Sequence, residues 1–222
     1  MIANKLLNTS FSPLTTSDSV SAALSKMEAW HTSNISVLDP ITRTVVGQVT
    51  FDLLQNLPDE TMTLGSLELK TPVYTYTNRH VFEVARQMLF NDVRFLTVVD
   101  ENEQFSGIIE KKHVLEGLST MLNIESRGSV ITVMMSRPDF TLSELVHLIE
   151  QEEAKILGLT VSYEKEDADL LQISIKLNLE DTSAVVSALT RHGYTTTTEN
   201  TEDLLQLDFT SRADELMRYF DI

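Results

Sequence analysis

The first half of the chain is a duplication. Four apolar residues with the i, i+3, i+4, i+7 spacing of one helix face return with the same spacing 61 residues later. A strand-like segment that ends in an acid, residues 35–39, returns at the same offset as residues 96–100. Such a repeat limits the choice of folds, because each copy must bury its apolar face against a neighbour. The two helix sets are Val20, Ala23, Leu24 and Met27, and Val81, Val84, Ala85 and Met88.

A second strand-like segment with a central glycine follows in each copy, and a proline opens each copy. This order predicts two α/β units, each with an extended lead-in segment, a helix, two strands and a second helix. We place them at residues 1–61 and 62–122, with one core between them. The glycines are Gly47 and Gly107, and the prolines are Pro13 and Pro72.

The periodicity changes after residue 127. Short apolar or alternating runs predict four strands, and two amphipathic segments that each follow a capping residue predict two helices. Their order, β-α-β-β-α-β, is the ferredoxin-like arrangement, which we place at residues 128–200. Residues 201–222 are predicted to be a C-terminal extension with a short helix. The predicted strands are residues 130–135, 156–163, 171–179 and 194–199, and the predicted caps are Thr141 and Asp181.

The charge of the chain excludes two classes of partner. Seventeen basic and thirty-three acidic residues give a net charge of −16 at pH 7. The excess divides into −6 up to residue 126 and −10 beyond it. Such a surface repels nucleic-acid phosphates and anionic lipid, so we expect neither a nucleic acid nor a membrane as partner. The sequence shows no signal peptide and no apolar run long enough to span a bilayer, which predicts a cytoplasmic protein.

Catalytic and metal-binding patterns are absent from the sequence. The chain has no cysteine, which excludes disulfides, thiolate zinc sites and cysteine nucleophiles. Its five histidines are scattered without the spacing of a metal site, and there is no glycine-rich phosphate loop. We therefore expect no catalytic residue and no metal.

Residues 1–122 resemble a tandem pair of cystathionine-β-synthase-type (CBS) domains. The resemblance rests on the proline-led copies, the helix spacing, the acid-terminated strands and the glycine in each following strand. Residues 128–200 resemble an ACT domain, the amino-acid-sensing form of the ferredoxin-like fold. This order is similar to the acetoin-utilisation accessory protein type. The predicted fold class is therefore α/β and α+β, a CBS pair followed by a ferredoxin-like ACT domain.

The resemblance implies a regulatory protein and not an enzyme. CBS pairs in many proteins bind adenosine-containing nucleotides in the cleft between the copies, and both domain types commonly form homodimers. We therefore expect a homodimeric ligand sensor that acts on a protein partner which the sequence does not name. No cofactor is certain, and an adenosine nucleotide is the candidate ligand. The alternative is a dimeric scaffold, or protein-interaction module, that has lost ligand binding.

The family's ligand motif, Gly-x-x-Thr/Ser-x-x-Asp, is incomplete in both copies. In the first copy Gly47 and Thr50 match, but the acid, Asp52, comes two residues after Thr50 instead of three. In the second copy Glu110 stands where the hydroxyl belongs, and His113 where the acid belongs. The resemblance implies Thr50, Asp52 and His113 as candidate ligand-binding residues.

Lys111 and Lys112 form the only adjacent basic pair of the sequence. A carboxylate beside a phosphate repels it, so Glu110 would need a compensating positive charge. The two lysines could supply that charge, which makes them candidate ligand-binding residues. They could also lie on a solvated helix start and balance Glu110 locally.

The effector loop of the ACT-like part reads Ser136-Arg137-Pro138-Asp139, where the family commonly has Asp-x-Pro-Gly. Asp139 replaces the glycine that lets the backbone approach a ligand closely. Arg137, Pro138 and Asp139 are the candidate amino-acid site, with Asp139 as the partner of an ammonium group. The other interpretation is that Asp139 is an ordinary turn residue.

Overall fold

The computed structural model describes residues 1–163 and 169–198. The chain divides into two compact units, Met1–Ser119 and the part that begins at Thr120. The predicted C-terminal helix, within residues 201–222, lies outside the described residues.

The first unit contains two copies of one α/β arrangement. In each copy the first strand pairs parallel to the second, and the second pairs antiparallel to the third. The duplicated α/β fold predicted from the sequence is confirmed. The first copy comprises β1 (Leu14–Thr15), α1 (Val20–Ala29), β2 (Asn34–Leu38), β3 (Val45–Thr50) and α2 (Phe51–Gln55). The second comprises β4 (Tyr74–Tyr76), α3 (Val81–Phe90), β5 (Phe95–Val99), β6 (Phe105–Glu110) and α4 (Lys111–Met121).

The repetition extends to irregular backbone positions. His31 and Asp92, 61 residues apart, both have left-handed backbone, with φ of 48° and 46°. Arg43 and Glu103, in the turns between the second and third strands, have φ of 60° and 61°. Left-handed backbone is uncommon for residues other than glycine. Its recurrence at matching positions shows that the sequence repeat is also a repeat of backbone conformation.

The strand register corrects one predicted equivalence. Leu14 and Thr75 pair with matching residues of β2 and β5, so Leu14 is the counterpart of Thr75. One residue earlier, Pro13 is therefore the counterpart of Tyr74, and counting back along the chain sets Phe11 against Pro72. The predicted equivalence of Pro13 and Pro72 is wrong. Both prolines lie in extended backbone before a strand, where φ near −65° fits at more than one position.

The repeated glycine makes room for a segment that crosses it. Lys70, in the segment that leads into the second copy, exchanges backbone hydrogen bonds with Gln48 of β3, each with N···O of 3.0 Å. A Cβ on Gly47 would lie 2.4 Å from the Cβ of Leu69. No side chain fits at that distance. The glycine is thus required by the packing of the second copy's lead-in segment on the first copy's third strand.

The two copies also share apolar core. Ile108 of β6 is buried in the same cluster as the apolar residues of the first copy. A core shared in this way makes the folding of each copy depend on the other. The buried helix residues are Val20, Ala23 and Met27 of α1, and Val81, Val84 and Met88 of α3.

The second unit is a four-stranded antiparallel sheet with two helices. Its strand order is β10-β7-β9-β8, and every neighbouring pair is antiparallel. This is the predicted β-α-β-β-α-β arrangement, which is confirmed. Its elements are β7 (Val130–Ser136), α5 (Leu142–Gln151), β8 (Ile156–Tyr163), β9 (Leu170–Leu177), α6 (Ser183–Arg191) and β10 (Thr195–Thr198).

One face of this sheet forms the core with the helices. β7 and β9 bury every second residue, as strand geometry requires when only one face is covered. The apolar run of residues 130–135 therefore buries only alternate side chains, although it contains almost no polar residue. The buried cluster includes Ile131, Val133, Leu145, Ile149, Ile173, Ile175, Val185 and Leu189.

The two helices of this unit begin differently. Thr141 is the N-cap of α5, as predicted, but its side chain makes no capping hydrogen bond. The N-cap of α6 is Thr182, not Asp181 as predicted, because the helix begins at Ser183. Asp181 lies one residue earlier, and its Oδ1 accepts hydrogen bonds from the backbone N–H and the hydroxyl of Ser183, at 2.9 and 2.5 Å. Both bonds lower the pKa of Asp181 below its ordinary value, and the bond from the Ser183 hydroxyl has the larger effect.

We expect Gly107→Ala to lower the free energy of unfolding by about 2 kcal/mol. Asn8 and Ile108 exchange backbone hydrogen bonds of 2.8 and 3.1 Å across this glycine. A Cβ on Gly107 would lie 2.9 Å from the carbonyl oxygen of Asn8, and its φ is +153°. Urea denaturation measures the loss. Ser106→Ala, one residue earlier in β6, is the control and is expected to cost less than about 1 kcal/mol; equal losses would contradict this account.

We expect Asp181→Asn to lower the melting temperature at neutral pH and to have no effect in acid. A carboxyl whose folded pKa is lowered stabilises the fold above its ordinary pKa of about 3.9 and loses that effect as the pH falls through the folded pKa. Melting curves by circular dichroism, recorded from about pH 7 to about pH 1.5, follow the difference between the variant and the wild type. Glu180→Gln, at an exposed neighbouring position, is the control. A difference that stays constant over the whole range would rule out the Asp181 carboxylate as its cause.

Candidate functional site

The two copies of the first unit meet at a pseudo-two-fold axis between β2 and β5. Ser36 and Thr97 are counterparts, and the Thr97 hydroxyl donates to Ser36 Oγ at 2.8 Å. Thr44 and Gln104 are also counterparts, and they form an isolated antiparallel bridge. Counterparts that touch each other lie on the axis. One cleft therefore lies on each side of it, formed by the third strand of one copy and the lead-in segment of the other.

The space at the axis itself is filled. A cavity of about 20 Å³ remains there, lined among others by Ile35, Ser36, Thr97 and Phe105. That volume suits about one water molecule. A nucleotide does not fit at the axis, so a ligand would have to occupy one of the two flanking clefts.

The cleft beside β6 is closed by three aromatic rings. The ring centroids of Phe11, Trp30 and Phe95 lie 4.8 to 6.3 Å apart, mostly edge to face. Lys26 and Arg94 each place their cationic group 5.6 Å from a ring centroid of this cluster. Burial lowers the pKa of Lys26, although Asp18 partly opposes this. We call this place the closed cleft.

The two motif residues of the second copy, Glu110 and His113, lie at the end of β6 and in α4. The side-chain amide of Asn8 donates to Oε1 of Glu110 at 2.9 Å, which ties the carboxylate to the N-terminal segment. His113 Nδ1 is buried and has no hydrogen-bond partner among the described residues. The role of His113 in ligand binding stays a prediction.

The adjacent lysines lie on the surface of α4 in local ion pairs. Lys111 Nζ is 3.4 Å from Asp92, and Lys112 Nζ is 3.7 Å from Glu116. Their side chains are 48% and 76% exposed. This placement favours the solvated alternative, because each positive charge is already offset by an acid and faces water.

The cleft beside β3 is open, and we call it the open groove. It has a volume of about 1010 Å³ and is lined by Gln48 of β3, Leu53 of α2, Leu57, residues 66–73 and Asn91. This volume is at the upper end of the 300–1000 Å³ or so that is typical of small-molecule sites. The open groove can therefore accommodate a ligand of nucleoside size.

Two substitutions between the copies explain why one cleft is closed and the other open. At the repeat's offset of 61 residues, the counterparts of Phe11, Trp30 and Phe95 are Pro72, Asn91 and Asn34, and Asn34 lines the cavity at the axis. Pro72 and Asn91 line the open groove. Smaller side chains stand there in place of two large rings, so the space that aromatic packing fills in one cleft stays empty in the other.

The polar groups of the open groove are few. Oε1 of Gln48 accepts a hydrogen bond from the backbone N–H of Val73 at 3.3 Å. Thr50 projects from the same face of β3 as Gln48, and its buried hydroxyl has no hydrogen-bond partner within the described chain. Lys70 and Glu68 are the charged residues of the lining. Thr50 itself is not among the lining residues, and the charges of the lining sum to zero.

The structure does not bring Thr50 and Asp52 into one site. Asp52 lines a different groove of about 730 Å³ between α1 and α2, together with Glu28 and Glu60. Leu53, three residues after Thr50, lines the open groove in the position where the motif has its acid. Gln48, Leu53, Lys70 and Asn91 were missed by sequence reasoning, although strand alternation from Thr50 and the helix turn after it would have indicated the first two.

The candidate amino-acid loop forms a turn after β7. The Ser136 hydroxyl donates to the Asp139 carboxylate at 2.5 Å, and the Asp139 N–H donates to the Ser136 carbonyl at 3.2 Å. Arg137 lies 4.8 Å from the ring centroid of Tyr163. Pro138 sits within the same turn. These contacts favour the turn interpretation of Asp139, and amino-acid binding by Arg137, Pro138 and Asp139 stays a prediction.

Residues 1–163 and 169–198 contain no group of three or more histidine, aspartate or glutamate side chains placed to hold a metal ion. Within the same residues, no helix combines the length and apolar character that crossing a bilayer requires.

The second copy is similar to a known domain family. Residues 64–120 match the family model of the CBS domain. A solved CBS domain pair/ACT domain protein from Thermotoga maritima is 21% identical, with a TM-score of 0.50 over 55% of this chain and 99% of that one. At this similarity the match shows the fold alone, and the first unit has the fold of a CBS pair.

Two further solved structures are similar to the chain. The CBS domains of a transcriptional regulator from Streptococcus pneumoniae are 20% identical, with a TM-score of 0.46 over 52% of this chain and 98% of that one. CBSX2, solved in complex with AMP, is 24% identical, with a TM-score of 0.43 over 56% of this chain and 98% of that one.

We expect Phe11→Ala to lower the free energy of unfolding by about 3 to 5 kcal/mol. Phe11 is only 6% exposed, and its ring packs against Trp30 and Phe95 in the closed cleft. Pro72→Ala, at the counterpart position in the open groove, is expected to cost about 1 kcal/mol or less. Chemical denaturation measures the free energy of unfolding of both variants. Similar losses would show that the two clefts are packed alike.

Proposed function

We propose that this chain is a non-catalytic regulatory protein that senses one small ligand in the open groove of its CBS pair. The observation that carries the proposal is the difference between the clefts: one is closed by three aromatic rings, and the other has room for a nucleoside. Thr50, two residues after the lining residue Gln48 on β3, has a buried hydroxyl without a partner among the described residues, and we propose that it bonds to the ligand once the ligand is bound. A buried unpaired hydroxyl is costly unless a ligand or water satisfies it.

The charge of the open groove limits which ligands can bind there. An adenosine-containing compound is the candidate that the family resemblance implies. The lining contains one lysine, Lys70, and one acid, Glu68, so a triphosphate would bring several negative charges to a site with no net positive charge. Leu53 stands where a carboxylate would accept from ribose hydroxyls. Adenosine, followed by AMP, therefore fits better than ATP.

Binding in the open groove would act on the packing of the two copies. Its walls come from β3 and α2 of the first copy and from the lead-in segment of the second, residues 66–73. A ligand that contacts both copies favours the arrangement in which both contacts form. We propose that a homodimer transmits this change to a protein partner, and that residues 128–200 are an ACT domain.

A second candidate function is a dimeric scaffold without a ligand. The observations that favour it are the small cavity at the axis, about 20 Å³, and the aromatic filling of the closed cleft. In this alternative the open groove is only a surface depression. The family's ligand motif is then incomplete in both copies because ligand binding has been lost.

Ligand titration separates the two functions. We expect adenosine to raise the melting temperature more than AMP, and AMP more than ADP, ATP or S-adenosylmethionine, with calorimetry giving the dissociation constants. A ligand present at 100 times its dissociation constant adds about 2.7 kcal/mol to the free energy of unfolding. If none of the five compounds binds, the nucleoside sensor is wrong and the scaffold is favoured.

A variant chosen by comparing the two copies tests whether the ligand binds in the open groove. Asn91→Trp places in the open groove the residue that its counterpart, Trp30, has in the closed cleft, and it is expected to abolish binding. Asn91→Ala is the matched control and keeps the affinity within about threefold. Loss of binding in both variants, or in neither, would place the ligand elsewhere.

A further inference from the structure

Gln48 of β3 is a polar residue at a place where the other copy has an apolar one. Its counterpart is Ile108 of β6, since each pairs with the axis residue of the neighbouring strand, Ser36 or Thr97. Ile108 is only 2% exposed and lies in the apolar core. The repeated backbone thus accepts an isoleucine at this position, and folding alone does not explain the glutamine.

The carboxamide of Gln48 is held in one orientation. Its backbone exchanges two hydrogen bonds with Lys70, and three residues further on the backbone N–H of Val73 donates to its Oε1 at 3.3 Å. An N–H group can donate only to the oxygen of a carboxamide, so this bond decides which side-chain atom faces Val73. The amino group, Nε2, is left for another partner and has none among the described residues.

Gln48 lies between two spaces. It lines the cavity of about 20 Å³ at the axis, and it also lines the open groove. Its Nε2 is not among the buried polar atoms that lack a partner in the described part of the chain, so a water-sized group can reach it. Because the axis cavity has room for about one water molecule, a larger acceptor can meet this amino group only from the open groove.

The lining of the open groove suits a flat heterocycle. Half of its residues are apolar, and its charged residues are Lys70 and Glu68. Small-molecule sites commonly combine such apolar walls with a few polar groups that fix the orientation of the ligand. The amino group of Gln48 is one of these polar groups. The apolar lining residues are Leu53, Leu57, Leu67, Leu69, Pro72 and Val73.

We propose that Gln48 selects the heterocycle of the ligand by donating a hydrogen bond from Nε2 to a ring nitrogen of the base. The inference rests on the nucleoside ligand of the proposed function and adds the residue that recognises the base. Adenine offers the ring nitrogens N1, N3 and N7 as acceptors. A base with carbon in place of the recognised nitrogen leaves the amino group unpaired, and a site built to make a hydrogen bond rejects such an analogue.

Deaza analogues of adenosine test this bond. In 1-, 3- and 7-deazaadenosine, a C–H group replaces one ring nitrogen and the rest of the compound is unchanged. Calorimetry with the wild type is expected to give one of these analogues a dissociation constant about tenfold higher than that of adenosine, the effect of one hydrogen bond. If all the analogues bind within about threefold of adenosine, the proposal is overturned.

The variant Gln48→Met separates recognition from packing. Methionine is unbranched like glutamine but has no donor, and Ile108 shows that the backbone accepts an apolar side chain here. The variant is expected to bind adenosine about tenfold more weakly than the wild type does, and to bind the discriminating analogue as tightly as adenosine. A structural role alone, such as a bond to water at the axis, would weaken adenosine and every analogue by the same factor, which overturns the proposal.

A second variant keeps the bond to Val73. Gln48→Glu retains an acceptor for the Val73 N–H but replaces the donor by a carboxylate oxygen, which repels the lone pair of a ring nitrogen. We expect it to weaken adenosine binding more than Gln48→Met does. Gln104→Glu makes the same change at an exposed position outside the lining of the open groove, and it is expected to leave the affinity unchanged. Equal losses in the two glutamate variants would indicate a general effect of charge and overturn the proposal. Circular dichroism checks that all variants fold.

The outcomes separate this inference from the proposed function. If adenosine does not bind to the wild type, the nucleoside sensor is wrong, and recognition by Gln48 is wrong with it. If adenosine binds but no analogue is discriminated, the sensor stands and only the role of Gln48 is overturned. The series of analogues on the wild type decides this without any variant.

Discussion

The exchange of backbone hydrogen bonds between each lead-in segment and the third strand of the other copy organises the first unit. Lys70 pairs with Gln48 in this way, and Asn8 pairs with Ile108. Each exchange needs a glycine one residue before the strand partner, because a side chain there would collide with the crossing segment. Neither copy is complete without the other's backbone, which is why the apolar core forms across both and why a cleft lies on each side of the axis.

The two clefts differ although their backbones match. Phe11, Trp30 and Phe95 fill one, and the positions equivalent to the first two carry Pro72 and Asn91 in the other. The duplication thus supplies one backbone for two purposes: a cleft packed with rings stabilises the unit, and the open groove remains available to a ligand. The helices differ as well, since Ser21 and Glu28 of α1 stand where α3 has the exposed residues Phe82 and Leu89.

The sequence allowed the duplicated α/β unit and the ferredoxin-like order to be predicted, because helix and strand periodicities survive in each segment. The exact correspondence of residues between the two copies could not be predicted from the sequence. Whether Phe11 or Pro13 matches Pro72 depends on strand pairing, which extended segments do not encode locally. The side to which Asp52 points depends on where α2 begins, since one residue turns a helical side chain by about 100°. Thr141 has the spacing of a capping residue, yet its side chain makes no capping bond.

Trp30 is the single tryptophan of the chain, and it lies in the closed cleft. Its indole emission therefore reports on one side of the pseudo-two-fold axis, while the open groove lies on the other and has Asn91 in the matching position. The molecule has a spectroscopic probe at the place where a ligand would not bind. Any change in that emission on titration would record movement carried across the axis from one copy to the other, and not quenching by the ligand itself.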